Sequence, residues 1–175
     1  MFNLQNRVAV ITGACGLLGR CFCHGLSRYG ANIVALDLKA EEVSAFSQEL
    51  NNCYQNKAMG IVCDISRPES VKKAFEEIID RMERIDILLN NAATKTDDLN
   101  AFFAPFEEYT LEEWRKVMAV NIDGMFLMAQ SAGKQMIAQG DGGSIIQIAS
   151  IYGILAPDNR IYENSYYLGR QINTP

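Results

Sequence analysis

The chain has 175 residues, 49% of them hydrophobic and 21% charged, with a mean hydropathy of -0.04 and a formal net charge of -5. A chain of this size buries roughly 70% of the surface it exposes unfolded, and its apolar content excludes a disordered polymer. No apolar stretch reaches the roughly 20 residues of a membrane-crossing helix, and no basic stripe interleaves with aromatics, so neither a membrane nor a nucleic acid is an expected partner.

In chain order, Arg7–Thr12 (RVAVIT) reads as a buried strand that ends at Gly13, and Leu17–Tyr29 as a helix closed by Gly30, a position that suits a left-handed cap. Asn32–Leu36 is a second strand. The helix after it carries Val43, Phe46 and Leu50 at i, i+3, i+7. Lys57–Cys63 is a third strand, followed by a capping-box signal in Ser66 and Glu69 and a stripe of Val71, Phe75, Ile78 and Met82. Ile85–Leu89 is a fourth strand. Thr110 and Glu113 repeat the capping box and open a long helix over Leu111–Ala138, after which Asp141-Gly142-Gly143 ends the unit. Ser144–Ala149 (SIIQIA) is the fifth strand, apolar enough to be buried on both faces. Strands that alternate with helices of ten or more residues predict βαβ units. The fold class is therefore α/β, a doubly wound parallel sheet with helices on both faces.

The chemistry concentrates at the first strand-to-helix turn, Thr12-Gly13-Ala14-Cys15-Gly16-Leu17-Leu18-Gly19. Backbone N–H groups along Gly13, Cys15, Gly16, Leu18 and Gly19 can approach a pyrophosphate, and the helix N-terminus adds partial positive charge. Gly19 lets helix and strand pack closely. Asp37 ends the second strand, eighteen residues after Gly19. There a carboxylate accepts hydrogen bonds from the ribose hydroxyls of a dinucleotide and repels a 2′-phosphate, so the expected cofactor is NAD in preference to NADP. Lys39 nearby pulls the other way. The five cysteines (Cys15, Cys21, Cys23, Cys53, Cys63) form no Cys-x-x-Cys pair, which suits a reducing, cytoplasmic compartment. Cys21, Cys23 and His24 lack a second ligand cluster, so no metal is expected. MFNLQNRVAV has no signal-peptide pattern.

From residue 7 to about 153 the sequence resembles the short-chain dehydrogenase/reductases. The glycine turn is similar to their nucleotide loop, although Leu17 stands where the common form has glycine and TGACGLLG follows the spacing of the extended members. Asp64-Ile65 matches the family's adenine-contacting position. Asn90-Asn91-Ala92-Ala93 resembles an Asn-Asn-Ala-Gly motif, with Asn91 and Ala92 expected at the cofactor, and Ala93 departs from the pattern. Val120-Asn121-Ile122-Asp123-Gly124 resembles the motif whose Asn joins the catalytic set, and Ser150 falls on the catalytic serine.

The resemblance implies a Rossmann-type domain over 1–175, incomplete on its C-terminal side, with 151–175 as an irregular tail at the active site. It implies hydride exchange between a nicotinamide and an alcohol or ketone. Ser150 would stabilise charge on the reacting oxygen. Asn121 would hold a relay water through its backbone. A Tyr-x-x-x-Lys pair would supply the acid/base. That pair is missing. Tyr152, Tyr162, Tyr166 and Tyr167 have Ala156, Tyr166, Arg170 and Gln171 four residues on. Tyr166 with Arg170 is the nearest imitation, and Gly169 between them is a poor helix residue. The expectation is a chain shortened before the true pair, marginally stable or homo-oligomeric through the apolar arc of the long helix. Thr94–Glu108 and Tyr152–Asn164 are expected to roof a pocket for a small alcohol or ketone. A faint likeness of APDNRIYENS to members of bacterial surface-sugar pathways makes a sugar-derived alcohol one candidate. A non-catalytic dinucleotide-binding module and a decayed fragment are the alternatives.

Overall fold

The structure, a computed structural model, describes residues 3–96, 98–156 and 158–172. Five parallel strands form the main sheet: β1 (Val8–Thr12), β2 (Asn32–Asp37), β3 (Ala58–Val62), β4 (Ile87–Asn90) and β5 (Ser144–Gln147), in the order β3-β2-β1-β4-β5. Helices α1 (Leu17–Arg28), α2 (Ala40–Cys53) and α3 (Pro68–Met82) make the crossovers of the first half. Alternation along each strand splits the core into two. Val8, Val10, Val34, Leu36, Met59 and Ile61 face α3, while Ala9, Ile11, Ile33 and Ala35 face Phe46 and Leu50 of α2. The chain crosses from β3 over β2 to β4 on the far side of β1, so the strand order reverses between β1 and β4. A crevice opens at the carboxyl ends of the strands at such a switch point.

Gly30, at a φ of +93°, closes α1 as its position in the sequence suggests. The capping box at Ser66 does not form. Arg67 is the N-cap of α3, Pro68 is its first residue, and no side chain caps it. Ser66 turns back on Asp64 instead, its amide and hydroxyl both donating to Asp64 Oδ1 at 3.0 and 2.6 Å. A short carboxylate two residues upstream outcompetes the cap. The box at Thr110 does form, Thr110 Oγ1 accepting from the Glu113 amide at 3.2 Å.

After a short α4 (Leu99–Phe102), the expected long helix is divided: α5 (Leu111–Met118), a π-helical stretch (Ala119–Gly124) and α6 (Met125–Gln139), which Gly140 closes at a φ of +78°. Val117-Met118 therefore ends one helix, and Met125, Phe126, Met128, Met136 and Ile137 belong to another. Beyond β5, Tyr166–Tyr167 (β6) and Arg170–Gln171 (β7) pair as an antiparallel hairpin across Leu168-Gly169, both at positive φ. Tyr166 faces Gln171, and Tyr167 faces Arg170. The helical turn that would set Tyr166 beside Arg170 does not form, because two left-handed residues in succession make a hairpin turn.

Asp86, buried ahead of β4, ties the sheet together. Its carboxylate accepts from the Val8 amide at 2.8 Å, from Arg7 at 2.7 Å and from both Nε and Nη2 of Arg84, while its carbonyl takes the Ser144 amide. Burial alone would raise this carboxyl, but the donors outweigh it and hold it below the usual carboxylate range. No helix among the described residues is long and apolar enough to cross a membrane. No group of three or more potential ligand side chains among the described residues is placed to hold a metal ion. Cys23 is buried in the core, and the His24 ring lies between Tyr54 Oη and Glu49 at 3.1 and 3.2 Å.

Candidate functional site

A cleft of about 550 Å3 opens where the strand order reverses, lined by the glycine turn, the end of β2, Asp64-Ile65 and the segment after β4. Its floor depends on two glycines. Gly13 sits at a φ of +62°, and a Cβ there would come within 2.9 Å of Ala92 Cα. At Gly19 a Cβ would stand 2.7 Å from Ala14 Cα. Larger residues would therefore push the turn off β1 and β4. Gly16 is the N-cap of α1 with no side-chain cap, and the first turn carries no acid. The amides of Leu17, Leu18 and Gly19 consequently have no acceptor among the described residues.

Asp37 turns into this cleft. Its Oδ2 accepts from the Cys15 amide and its Oδ1 from the Leu38 amide, both at 2.8 Å. The carboxylate thus braces the glycine turn and keeps further lone pairs for a ligand. Burial first, then the Asp37 and Glu42 carboxylates, push the Cys15 thiol up to about 11, so it stays a protonated neighbour of Asp37. Lys39 and Glu42 form the outer lip, Lys39 Nζ donating to Glu42 Oε1 at 2.7 Å.

The opposite wall is held by Thr12, a residue that motif reading passes over. Its buried hydroxyl accepts from the amides of Asn91 and Ala92 at 3.0 and 2.9 Å. Asn91 Nδ2 in turn donates to the carbonyls of Thr12 and Gly13 at 3.0 and 3.2 Å. The Asn91 amide is therefore spent on the glycine turn. Ala92, also in the lining, packs so close to Gly13 that a Cβ at position 13 would clash with it. Asp64 reaches the cleft with Oδ1 occupied by Ser66, and Ile65 packs its side chain onto Gly124. Buried Asn90 links the sheet to α6, donating to Met125 O at 3.0 Å and Gln147 Oε1 at 2.7 Å, and its own Oδ1 lacks a partner among the described residues.

All ten residues expected at the cofactor (Gly13, Cys15, Gly16, Leu18, Gly19, Asp37, Asp64, Ile65, Asn91 and Ala92) line this one cleft. The two expected catalytic residues stand outside its lining. Asn121 lies in the π-helical stretch, and its side chain grips Thr94 both ways: Oδ1 accepts from the Thr94 amide at 2.7 Å and Nδ2 donates to Thr94 O at 2.9 Å. Since Thr94 lines the cleft, this clasp joins the long helix to its rim. Ser150, exposed beyond β5, caps a one-turn 3-10 helix (Ile151–Gly153), its Oγ accepting from the Tyr152 amide at 3.2 Å. Of the expected roof, Thr94 borders the cleft, next to Ala93, and Phe103 reaches the hairpin edge-on to Tyr167, ring centroids 6.4 Å apart. A hydrogen bond with Tyr162 holds the Tyr152 phenol above its ordinary range, the wrong direction for a base acting near neutrality.

The cradle fits a dinucleotide on the structure's own terms. Donors without acceptors face the place where a pyrophosphate would be held, a Cβ at Gly13 or Gly19 would destroy the turn, and a carboxylate waits at the end of β2.

Residues 7–165 match the model of the short chain dehydrogenase family. D-threitol dehydrogenase of Mycolicibacterium smegmatis is 35% identical over 160 residues, covering 91% of this chain and 58% of that protein. Among solved structures, an NAD+-bound xylitol dehydrogenase superposes with a TM-score of 0.80 at 28% identity, covering 89% of this chain and 57% of its own. A gluconate 5-dehydrogenase from Burkholderia cenocepacia, in complex with NADP and tartrate, also gives 0.80, at 33% identity, covering 89% of this chain and 58% of its own. The chain spans less than two thirds of the length of these relatives.

Proposed function

Because this chain belongs to the short chain dehydrogenase family, we propose that it carries the dinucleotide-binding part of an oxidoreductase that uses NAD in preference to NADP and acts on a small alcohol or ketone. The observation that carries the reading is the single cleft in which acceptor-free amides of α1 and the Asp37 carboxylate face one ligand space. A bound nicotinamide dinucleotide would supply hydride chemistry. The residues of this chain bind and orient it: the amides of Leu17, Leu18 and Gly19 at the pyrophosphate, Asp37 at the ribose hydroxyls, and Asp64, Ile65, Asn91 and Ala92 along the opposite wall. Gly13, Cys15 and Gly16 shape the turn that carries those amides, the Cys15 and Gly16 amides being spent on Asp37 and on Gly13 O. Ser150 would donate its hydroxyl proton to the reacting oxygen as charge grows there. Asn121, with its side chain committed to Thr94, would order a relay water through its backbone.

Relatives named for threitol, xylitol and gluconate favour a polyol or sugar-derived alcohol as substrate. A cytoplasmic homo-oligomer suits the free cysteines and the exposed apolar residues of α5 and α6, Trp114, Phe126 and Ile137 among them. The test is a calorimetric titration of the full chain with NADH, repeated with Asp37→Ala. Binding that weakens about tenfold or more in the variant supports the reading, and no heat at millimolar NADH overturns it. Binding without turnover of any polyol would favour the non-catalytic module.

A further inference from the structure

Asp37 is not the only charge at the ribose end of the cleft. Lys39 stands two residues on, at the N-cap of α2, and could offer a 2′-phosphate the cation that Asp37 denies it. Its ammonium is already engaged. Glu42, on the first turn of the same helix, accepts from Lys39 Nζ at 2.7 Å, and all three side chains line the same lip. The hydrogen bond to Glu42 is the main reason the Lys39 ammonium is held above its ordinary range. Glu42 also acts on the helix end. The N-terminus of α2 would attract a phosphate, and an acid in its first turn offsets that field.

We propose that Glu42 is a specificity-determining residue, which withholds Lys39 from a 2′-phosphate arriving at the Asp37 end of the cleft and so disfavours NADP beyond what Asp37 achieves. The inference rests on the reading of the cleft as a dinucleotide site. Asp37 and Glu42 together outnumber the single ammonium, so the lip as built favours a neutral diol over a dianion. Both partners are well exposed, and an exposed ion pair is weak, so the effect is a bias and not a barrier.

The experiment measures dissociation constants of NAD and NADP for the full chain, for Glu42→Ala and for Glu42→Ala/Lys39→Gln. Alanine is a good helix former, so folding of the exposed first turn is preserved. Glu42→Ala should move the preference about threefold to fivefold toward NADP, the size of a released exposed ion pair. Adding Lys39→Gln should abolish most of that gain. A preference unchanged in Glu42→Ala, or a gain that persists without Lys39, overturns the proposal while leaving the cleft's assignment intact. Failure of the unaltered chain to bind NAD takes down the assignment and this inference together.

Discussion

The two sides of the sheet are built from similar sequence and end in different states. β1 (VAVIT) is buried at all five positions and β2 (NIVALD) at its four central ones, whereas β5 (SIIQ) is exposed at every position. Ile145 and Ile146 are 39% and 45% exposed, against 1% for Phe46 under β2. Pairing does not separate the two, since β5 runs in register with β4 over four residues. Hydrogen bonding therefore specifies a strand on both sides, and only the β2 side adds the burial that stabilises one. The cleft follows the same division. Its lining comes from the packed side and the β1–β4 seam, while Ser150 lies past the open strand.

Side-chain truncation should accordingly cost very different amounts on the two sides. Phe46→Ala should lower stability by about 3–5 kcal/mol, the price of a large core cavity, and Ile146→Ala by only about 1 kcal/mol, as for a half-exposed aliphatic side chain. Urea unfolding of the two variants checks it, and equal losses would erase the distinction. Asp86 tests the seam. Asp86→Asn should cost about 2–4 kcal/mol, because a buried acceptor of four donors loses its charge. With a folded-state pKa below the unfolded value of about 3.9, the carboxylate's contribution is present above that value and is lost as pH falls through the folded one. The acid limb of a stability profile should accordingly flatten in Asp86→Asn. Smallest is Ser150→Ala. Its Oγ holds one amide at an exposed turn, so stability should change by under about 0.5 kcal/mol and NADH affinity by under about twofold, while turnover should fall strongly in a form that also carries the Tyr-x-x-x-Lys pair.

The sequence made the packed side legible because periodicity there reports burial. Val43, Phe46 and Leu50 fall on one face and are all buried, and the glycine spacing required the turn that Gly13 and Gly19 form. Competition between local partners was not legible. Ser66 could cap a helix or bond Asp64, and spacing does not decide which. Nor does a motif reveal that Asn91 spends its amide on the glycine turn, or that the Thr12 hydroxyl anchors both amides beyond β4. The π-helical stretch was hidden for a related reason. The apolar spacing of Trp114 through Ile137 looks continuous, and the widened turn shows only in the backbone.

That widened turn at Ala119–Gly124 has a consequence for how this segment tolerates change. A π turn is an α-helix carrying a surplus residue, and each residue rotates a helix by about 100°. Removing a single amino acid between Met118 and Met125 would let an unbroken α-helix close up, locally more regular than before. Asn121 would then swing away from Thr94, or everything downstream of it would turn relative to α5. Here the more ideal helix would be the worse protein, because the irregularity is what keeps the gap between α5 and α6 in phase with the rim of the cleft.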